Sequence, residues 1–321
     1  MGVMVDSFGR KIDYLRVSVT DRCNLRCAYC MPDRPFEWIE HNKILSFENI
    51  FSFVKIAIDN GIEKIRITGG EPLVRKGVEN FVGLISKYAP NIDLAMTSNG
   101  VLLAQKAEIL KQNGLKRVNI SLDTLKPEIF EKISKRNLLD EVLKGIDKAV
   151  EVGFKVKLNC VVVRGINENE ISEILNFGIS KNAEVRFIEF MQNSHALEAV
   201  KCIGANEILE ILSRDFKISP LQKDPHSPSS LFLANDKYRF GIISPHGEEF
   251  CKSCNRIRLS AEGLLIPCLY FDEAMSIKKA LADNDFDEVL RIFESVVANK
   301  PEKNRWAQSE VSNRAFYETG G

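Results

Sequence analysis

A chain of 321 residues, 45% apolar and 27% charged, is long enough to bury a sizeable core and too long for a single small module. Lys plus Arg and Asp plus Glu both number 44, a balance that does not suggest the broad basic face of a nucleic-acid-binding domain. No run approaches the roughly 18 apolar residues of a membrane span, and the opening MGVMVDSFGR lacks the charged-then-apolar pattern of a signal peptide. A cytoplasmic protein is expected, and its eight cysteines are then not expected to form disulfides.

From Leu15 to Met191 short β-branched runs alternate with helical stretches: LRVSVT, KIRITGG, DLAMTSNG, RVNISLD, KVKLNCVVV and VRFIEFM. Between the first two lies SFENIFSFVKIAIDNG, where Ser46 reads as an N-cap and Gly61 as a C-terminal stop. This order implies a parallel sheet covered by helices, as an incomplete (β/α)6 barrel or an open doubly wound sheet.

Strands buried on both faces should be almost continuously apolar, and these are not. Every second position is polar: Arg16, Ser18 and Thr20; Lys64, Arg66 and Thr68; Thr97 and Asn99; Asn119, Ser121 and Asp123; Lys157 and Asn159; Arg186. Arg16, Lys64, Arg66, Lys157 and Arg186 would converge on one cavity, and unpaired buried charges are costly. A polyanionic small molecule, most simply a nucleotide phosphate chain, is the expected occupant.

After about residue 200 the pattern changes to a short helix (ANEILEILSRDF), a turn-rich linker (SPLQKDPHSPSS) and the strand-like runs SLFLAND, YRFGIIS and RIRLSAEG. Two regions are therefore expected, a barrel over 1–200 and a smaller C-terminal α+β region over 201–321 that closes in Gly320 and Gly321.

Six cysteines form two sets of three, and Cys160 and Cys202 read as small buried hydrophobes. Cys23, Cys27 and Cys30, in CNLRCAYC, directly follow the first strand, at the edge where βα-barrel enzymes keep their chemistry. A structural zinc site usually wants a fourth protein ligand; three thiolates on a four-iron cluster instead leave one iron open. Cys251, Cys254 and Cys268 would by themselves suit a zinc ribbon completed by His246, or a second cluster.

CNLRCAYC, with an aromatic residue before its last cysteine and GGEP after a later strand, resembles the radical S-adenosylmethionine (SAM) superfamily. The further stretches LRVSVTDRCNLRCAYCMP, KIRITGGEPLVRK, NISLDTL, RFIEFM and FCKSCNRIRLSAEGLLIPCL extend the resemblance to the GTP 3′,8-cyclase family of molybdenum-cofactor biosynthesis over nearly the whole chain. The resemblance implies a lyase with two [4Fe-4S] clusters: one on Cys23, Cys27 and Cys30 that binds SAM, one on Cys251, Cys254 and Cys268 that faces the substrate. It implies GTP contacts from Arg16, Arg66, Thr97, Lys157, Arg256 and Arg258, with Lys64, Asn159 and Arg186 beside them, and SAM contacts from Tyr29, Gly70, Ser121 and Met191. It further places Gly320 and Gly321 in the active site, with Arg16, Arg256 and Arg258 as the arginines nearest the chemistry. Expected partners are GTP, a flavodoxin- or ferredoxin-like reductant, the next enzyme of the pathway and a second copy of the chain. A peptide-modifying radical-SAM maturase and a non-enzymatic iron–sulfur or zinc redox sensor are the competing readings. The stretch QNSHALEAVK after Met191, with His195, departs from the family pattern.

Overall fold

The computed structural model describes residues 2–31, 36–191, 201–222, 227–247, 249–304 and 313–320. Thirteen strands occur among them: β1 Tyr14–Ser18, β2 Lys64–Thr68, β3 Asp93–Ser98, β4 Arg117–Ser121, β5 Lys155–Arg164, β6 Glu184–Glu189, β7 Lys201–Cys202, β8 Ile218–Pro220, β9 Ser229–Ala234, β10 Tyr238–Ile243, β11 Arg256–Leu259, β12 Leu264–Ile266 and β13 Met275–Ser276. One sheet runs in the order β13-β12-β11-β1-β2-β3-β4-β5-β6-β10-β9-β8, and β7 pairs separately with β5.

Strands β1 to β6 are parallel and lie in sequence order. A doubly wound sheet would reverse its order at a switch point. An unreversed order keeps all crossovers of one hand and all covering helices on one face, so the other face of the curved sheet encloses an interior. This is the incomplete six-unit barrel expected from the sequence.

The outer layer follows from helical periodicity. In the helix Phe47–Asp59 the buried residues Ile50, Phe53, Val54 and Ala57 recur at spacings of three and one, the stripe that packs on a sheet. Its capping matches the expectation: Ser46 accepts from the Asn49 amide at 3.1 Å, and Gly61 follows the last turn at φ +99°. Each large apolar side chain buried this way contributes about 1.5–3 kcal/mol.

The strands after residue 201 build no sheet of their own among the described residues. Instead β11 joins β1 in parallel and β10 joins β6 in parallel, and β12, β13, β9 and β8 add antiparallel beyond them. An open half-barrel exposes two edges of unpaired amides and carbonyls. The C-terminal third covers both, which brings Arg256 and Arg258 alongside the first strand.

Candidate active site

The first cysteine set sits in the loop that leaves β1, and its position is fixed by the GGEP segment. The amides of Gly70 and Glu71 donate to the carbonyls of Thr20 and Arg22, both at 2.7 Å. A Cβ on Gly70 would stand 2.4 Å from the Asp21 carbonyl oxygen, so only glycine permits this approach. The buried Glu71 carboxylate accepts from Ser98 Oγ at 2.9 Å and the Asn99 amide at 2.6 Å; Asn99 Nδ2 in turn donates to Asn24 at 2.7 Å and reaches Cys23 Sγ at 3.6 Å. GGEP thus braces the cysteine loop from beneath, with the β3 loop as the strut.

Burial raises all three thiols. Cys23 is pushed up to about 11 by burial and the Glu71 charge, and Cys27 goes well above the usual range through burial and the neighbouring Cys30. Cys30 is raised by burial and by Cys23. Thiols that repel one another in an apolar setting become thiolates only when a cation gathers them.

The second set has a different electrostatic setting. Lys300 is 3% exposed and donates to the Pro267 carbonyl at 2.6 Å, with its charge acting on the Cys254 thiol. Burial opposes ionisation of Cys254, but Arg256 and Lys300 outweigh it and draw the thiol down to about 6. Cys251 and Cys268 stay raised by burial. Asn304 Nδ2 lies 3.5 Å from Cys251 Sγ, and Arg10 donates to the Cys251 carbonyl at 2.9 Å.

Both sets suit iron–sulfur clusters: half-buried to buried thiols in threes, with N–H donors from Asn99 and Asn304 aimed at sulfur. Among the described residues no three His, Cys, Asp or Glu side chains converge as ligands of a single ion. His246, the expected fourth ligand of a zinc ribbon, has its Nε2 3.0 Å from the Phe190 carbonyl.

Between the cysteine sets lies the barrel interior, and the strand registers put the expected polar residues on one face. Arg16 stands beside Arg66 and Arg258, Thr97 beside Asn119, Asn119 beside Lys157, and Ser121 beside Asn159, which neighbours Arg186. Arg66 is 9% exposed and Arg258 6%. The Nε atoms of Arg16, Arg66 and Arg256, the hydroxyls of Thr68 and Thr97 and the side-chain oxygens of Asn119 and Asn159 are buried with no hydrogen-bond partner among the described residues. Each such orphan costs about 1–3 kcal/mol. Burial and the adjacent Arg258 hold Arg16 well below the ordinary arginine range. The interior is therefore polar and cationic: its arginine Nε donors lack acceptors, which a polyanionic ligand supplies, and its Asn119 and Asn159 oxygens lack donors, which the polar edges of such a ligand supply.

Of the five inward cations expected to need a ligand anion, only some do. The inward cations do not all lack protein partners: Lys157 and Arg186 share Glu184, at 2.5 and 2.9 Å, and Lys64 and Arg117 share Asp93, at 3.8 and 2.7 Å. Burial opposes ionisation of Glu184, yet Arg186 and Lys157 pull it down to about 2. Arg16 and Arg66 have no ion pair among the described residues, so the demand for an anion falls on the β1–β2–β11 side of the barrel.

The C-terminal tail also enters there. Arg16 donates to the Gly320 carbonyl at 2.6 Å and Arg258 to the Thr319 carbonyl at 3.4 Å. The Tyr317 ring packs with Phe36 and Trp38 in a cluster that also takes in Cys23 and Cys30 of the first cysteine set. Gly321 and His195 lie outside the described residues, as does the connection 192–200. Tyr29 Oη meets Asp123 at 2.6 Å, and Met191 ends the segment after β6, half-buried. The sequence reading passed over Tyr14, Asp93, Arg117 and Glu184, which share the inward parity, and Lys300, which no local pattern marks.

A groove of about 1170 Å³ lies outside the barrel between the helices Ile171–Ser180 and Ala205–Leu212. Its lining includes Glu168, Glu173, Glu207, Glu210 and Asp215, which suits no anionic ligand.

A half-open parallel barrel with three cysteines after its first strand defines a cluster-bearing radical enzyme, and the comparisons agree. Residues 17–178 match the radical SAM superfamily model and residues 183–306 the Molybdenum Cofactor Synthesis C model. Proteins named GTP 3′,8-cyclase from Campylobacter fetus and Nautilia profundicola are 52% and 54% identical, each aligned over 99% of this chain and 100% of the relative. Among solved structures, Streptococcus suis SuiB bound to S-adenosylmethionine superposes with a TM-score of 0.65 at 17% identity, covering 89% of this chain and 69% of that one. The chain belongs to the radical SAM superfamily and, within it, to the family of the GTP 3′,8-cyclases. No helix among the described residues is long and apolar enough to cross a membrane.

Proposed function

We propose that this chain converts GTP to (8S)-3′,8-cyclo-7,8-dihydroguanosine 5′-triphosphate, the first step of molybdenum-cofactor biosynthesis. The observation that carries the reading is the interior of unpartnered arginine Nε atoms, hydroxyls and amide oxygens between the two cysteine sets. Cys23, Cys27 and Cys30 would hold the SAM-binding cluster and Cys251, Cys254 and Cys268 the second one. When bound and reduced, the first cluster with SAM supplies a hydrogen-abstracting radical, the cofactor's own chemistry rather than the protein's.

The chain's share is binding, orientation and exclusion. Arg16 and Arg66, with Lys64, Lys157 and Arg186 beyond them, take the triphosphate, and Thr97 and Asn159 offer hydroxyl and amide groups to the remaining polar edges. Arg256 and Arg258 fix the end of the substrate nearer the second cysteine set. Tyr29, Gly70, Ser121 and Met191 line the SAM side, where Gly70 acts through the backbone because no side chain fits. The tail at Gly320 closes the site against Arg16, and Tyr317, Phe36 and Trp38 shield the first cysteine set from solvent. Water and stray hydrogen donors would quench a radical, so this closure belongs to catalysis.

A flavodoxin- or ferredoxin-like reductant, the next pathway enzyme and a second copy of the chain are the expected partners. Eight unpaired cysteines suit a reducing, cytoplasmic setting. The peptide-maturase reading gains only the fold shared with SuiB.

The test is anaerobic. After reconstitution we expect about eight irons per chain, as two four-iron clusters require, and 5′-deoxyadenosine formed together with cyclised nucleotide from GTP, SAM and dithionite. Deoxyadenosine formed with GTP left unchanged would refute the cyclase and point to the maturase.

A further inference from the structure

Tyr14 is the inward-facing group that the family resemblance leaves without a task. It opens β1, and in register it stands between Lys64 of β2 and Arg256 of β11, one layer from the Arg16, Arg66 and Arg258 row. The residue is 5% exposed, and its hydroxyl is buried with no hydrogen-bond partner among the described residues. The ring is in use: Lys64 Nζ lies 5.0 Å and Arg66 Cζ 5.6 Å from its centroid, both within cation–π range.

A purely structural tyrosine would satisfy its hydroxyl or give way to phenylalanine, because an orphaned buried hydroxyl costs what an apolar ring does not. Here the hydroxyl sits among Arg16 on its own strand, Lys64 and Arg66 on β2, and Arg256 and Arg258 on β11; the nearest carboxylate in that row, Asp93, is engaged with Lys64 and Arg117. Such a group has one natural partner, an anionic oxygen held by the same cations.

We infer that Tyr14 is a further substrate-binding residue: its hydroxyl donates to the phosphate chain of the nucleotide, and its ring turns Lys64 and Arg66 toward the same group. This rests on the cyclase reading. The electrostatics add a signature. Burial raises the Tyr14 phenol, but Arg66, Arg16, Lys64 and Arg256 outweigh it and bring the group down to about 8. In the ligand-free protein the phenolate is thus favoured above pH 8, where it competes with a phosphate for those cations. A bound polyanion repels the phenolate and restores the proton, so binding takes up a proton between pH 8 and the ordinary tyrosine range near 10. Affinity for GTP should therefore fall as pH rises through about 8, by up to tenfold per pH unit.

The experiment is equilibrium binding of GTP to anaerobically reconstituted holoenzyme, wild type and Tyr14→Phe, from about pH 7 to 9. Phenylalanine keeps the ring and the cation–π contacts and removes only the hydroxyl. We expect GTP affinity at pH 7 to drop about ten- to a hundredfold in Tyr14→Phe, the range for hydrogen bonds to charged groups, and the decline above pH 8 to vanish, with iron content unchanged. Equal affinity and an equal pH slope in the two proteins would overturn the assignment of Tyr14 alone. Wild-type holoenzyme that binds no GTP would overturn the cyclase reading and this one with it. Should Tyr14→Phe fail to load iron, the wild-type profile decides: affinity flat across the pH range overturns the proposal.

Discussion

The two cysteine sets hold the same number of thiols and are built in opposite ways. Cys23, Cys27 and Cys30 fall within one loop of eight residues, whereas Cys251, Cys254 and Cys268 are drawn from both ends of β11 and β12 and backed by Lys300 and Asn304 from the C-terminal end of the described core. Their electrostatics differ as well: burial and mutual repulsion raise the thiols of the first set, whereas in the second Arg256 and Lys300 bring Cys254 down while burial keeps Cys251 and Cys268 raised. Charge and hydrogen bonding set the potential of an iron–sulfur centre. The first site therefore favours a strongly reducing cluster, which reductive cleavage of SAM needs. The second favours a cluster that keeps extra negative charge and can face an anionic substrate.

The sharpest way to break this comparison is to remove one thiol from each set. Cys27→Ala should bring iron from about eight to about four per chain and abolish deoxyadenosine formation. Cys254→Ala should lose a similar amount of iron yet still cleave SAM, with no cyclised product. If Cys254→Ala stopped SAM cleavage too, the division of labour between the sites would be wrong. Gly320→Ala comes next in size. The residue lies at φ +74°, and its new Cβ would stand 2.0 Å from Thr68 Oγ1, so the tail must leave its seat on Arg16. A misplacement of that kind costs on the order of a hundredfold in turnover, while the thermal midpoint should hardly move, because the tail buries little of the core. A matched loss of midpoint and turnover would make the tail a folding element instead.

The cation beside the second set gives a smaller, more specific effect. Lys300→Met keeps the length of the side chain and removes its charge. We expect the potential of the second cluster to fall by on the order of 60 mV, a tenfold change for one electron, with the first cluster unmoved. Redox titration followed by electron paramagnetic resonance separates the two. A shift in both would mean that Lys300 acts through global packing.

What the sequence made legible follows the same division. The first cysteine set was readable because its ligands are neighbours, and the inward row of Arg16, Arg66, Thr97 and Lys157 because a strand repeats every two residues. The strand-end residues Tyr14 and Glu184 escaped, since a polar residue at the start of a β-branched run has no pattern on its far side to show which way it faces. Glu184 matters most: it neutralises Lys157 and Arg186, a pairing across strands that local sequence does not encode. Lys300 and Arg10 were out of reach for a stronger reason. Arg10 meets the second set only because β11 docks on β1, a contact between residues about 240 apart in the chain, and Lys300 because the helix Phe286–Ala298 that precedes it packs back on β12.

The smallest expected difference is in proton release on metal loading. A thiol must ionise to bind iron, so uptake by a set with raised pKa values strengthens with pH. Cys23 at about 11, with Cys27 and Cys30 also raised, binds one proton per thiol at pH 7. Cys254 at about 6 is already mostly ionised there, so the second set has one proton fewer to shed. Iron affinity should therefore rise more steeply between pH 7 and 9 at the first set than at the second. Each slope can be read in the variant that retains only that set, Cys254→Ala for the first and Cys27→Ala for the second. In Cys27→Ala carrying also Lys300→Met, the Cys254 thiol loses one of the two cations that hold it down and the slope should steepen toward that of the first set. Equal slopes from the outset would mean that the cations around Cys254 act on substrate and not on the thiol.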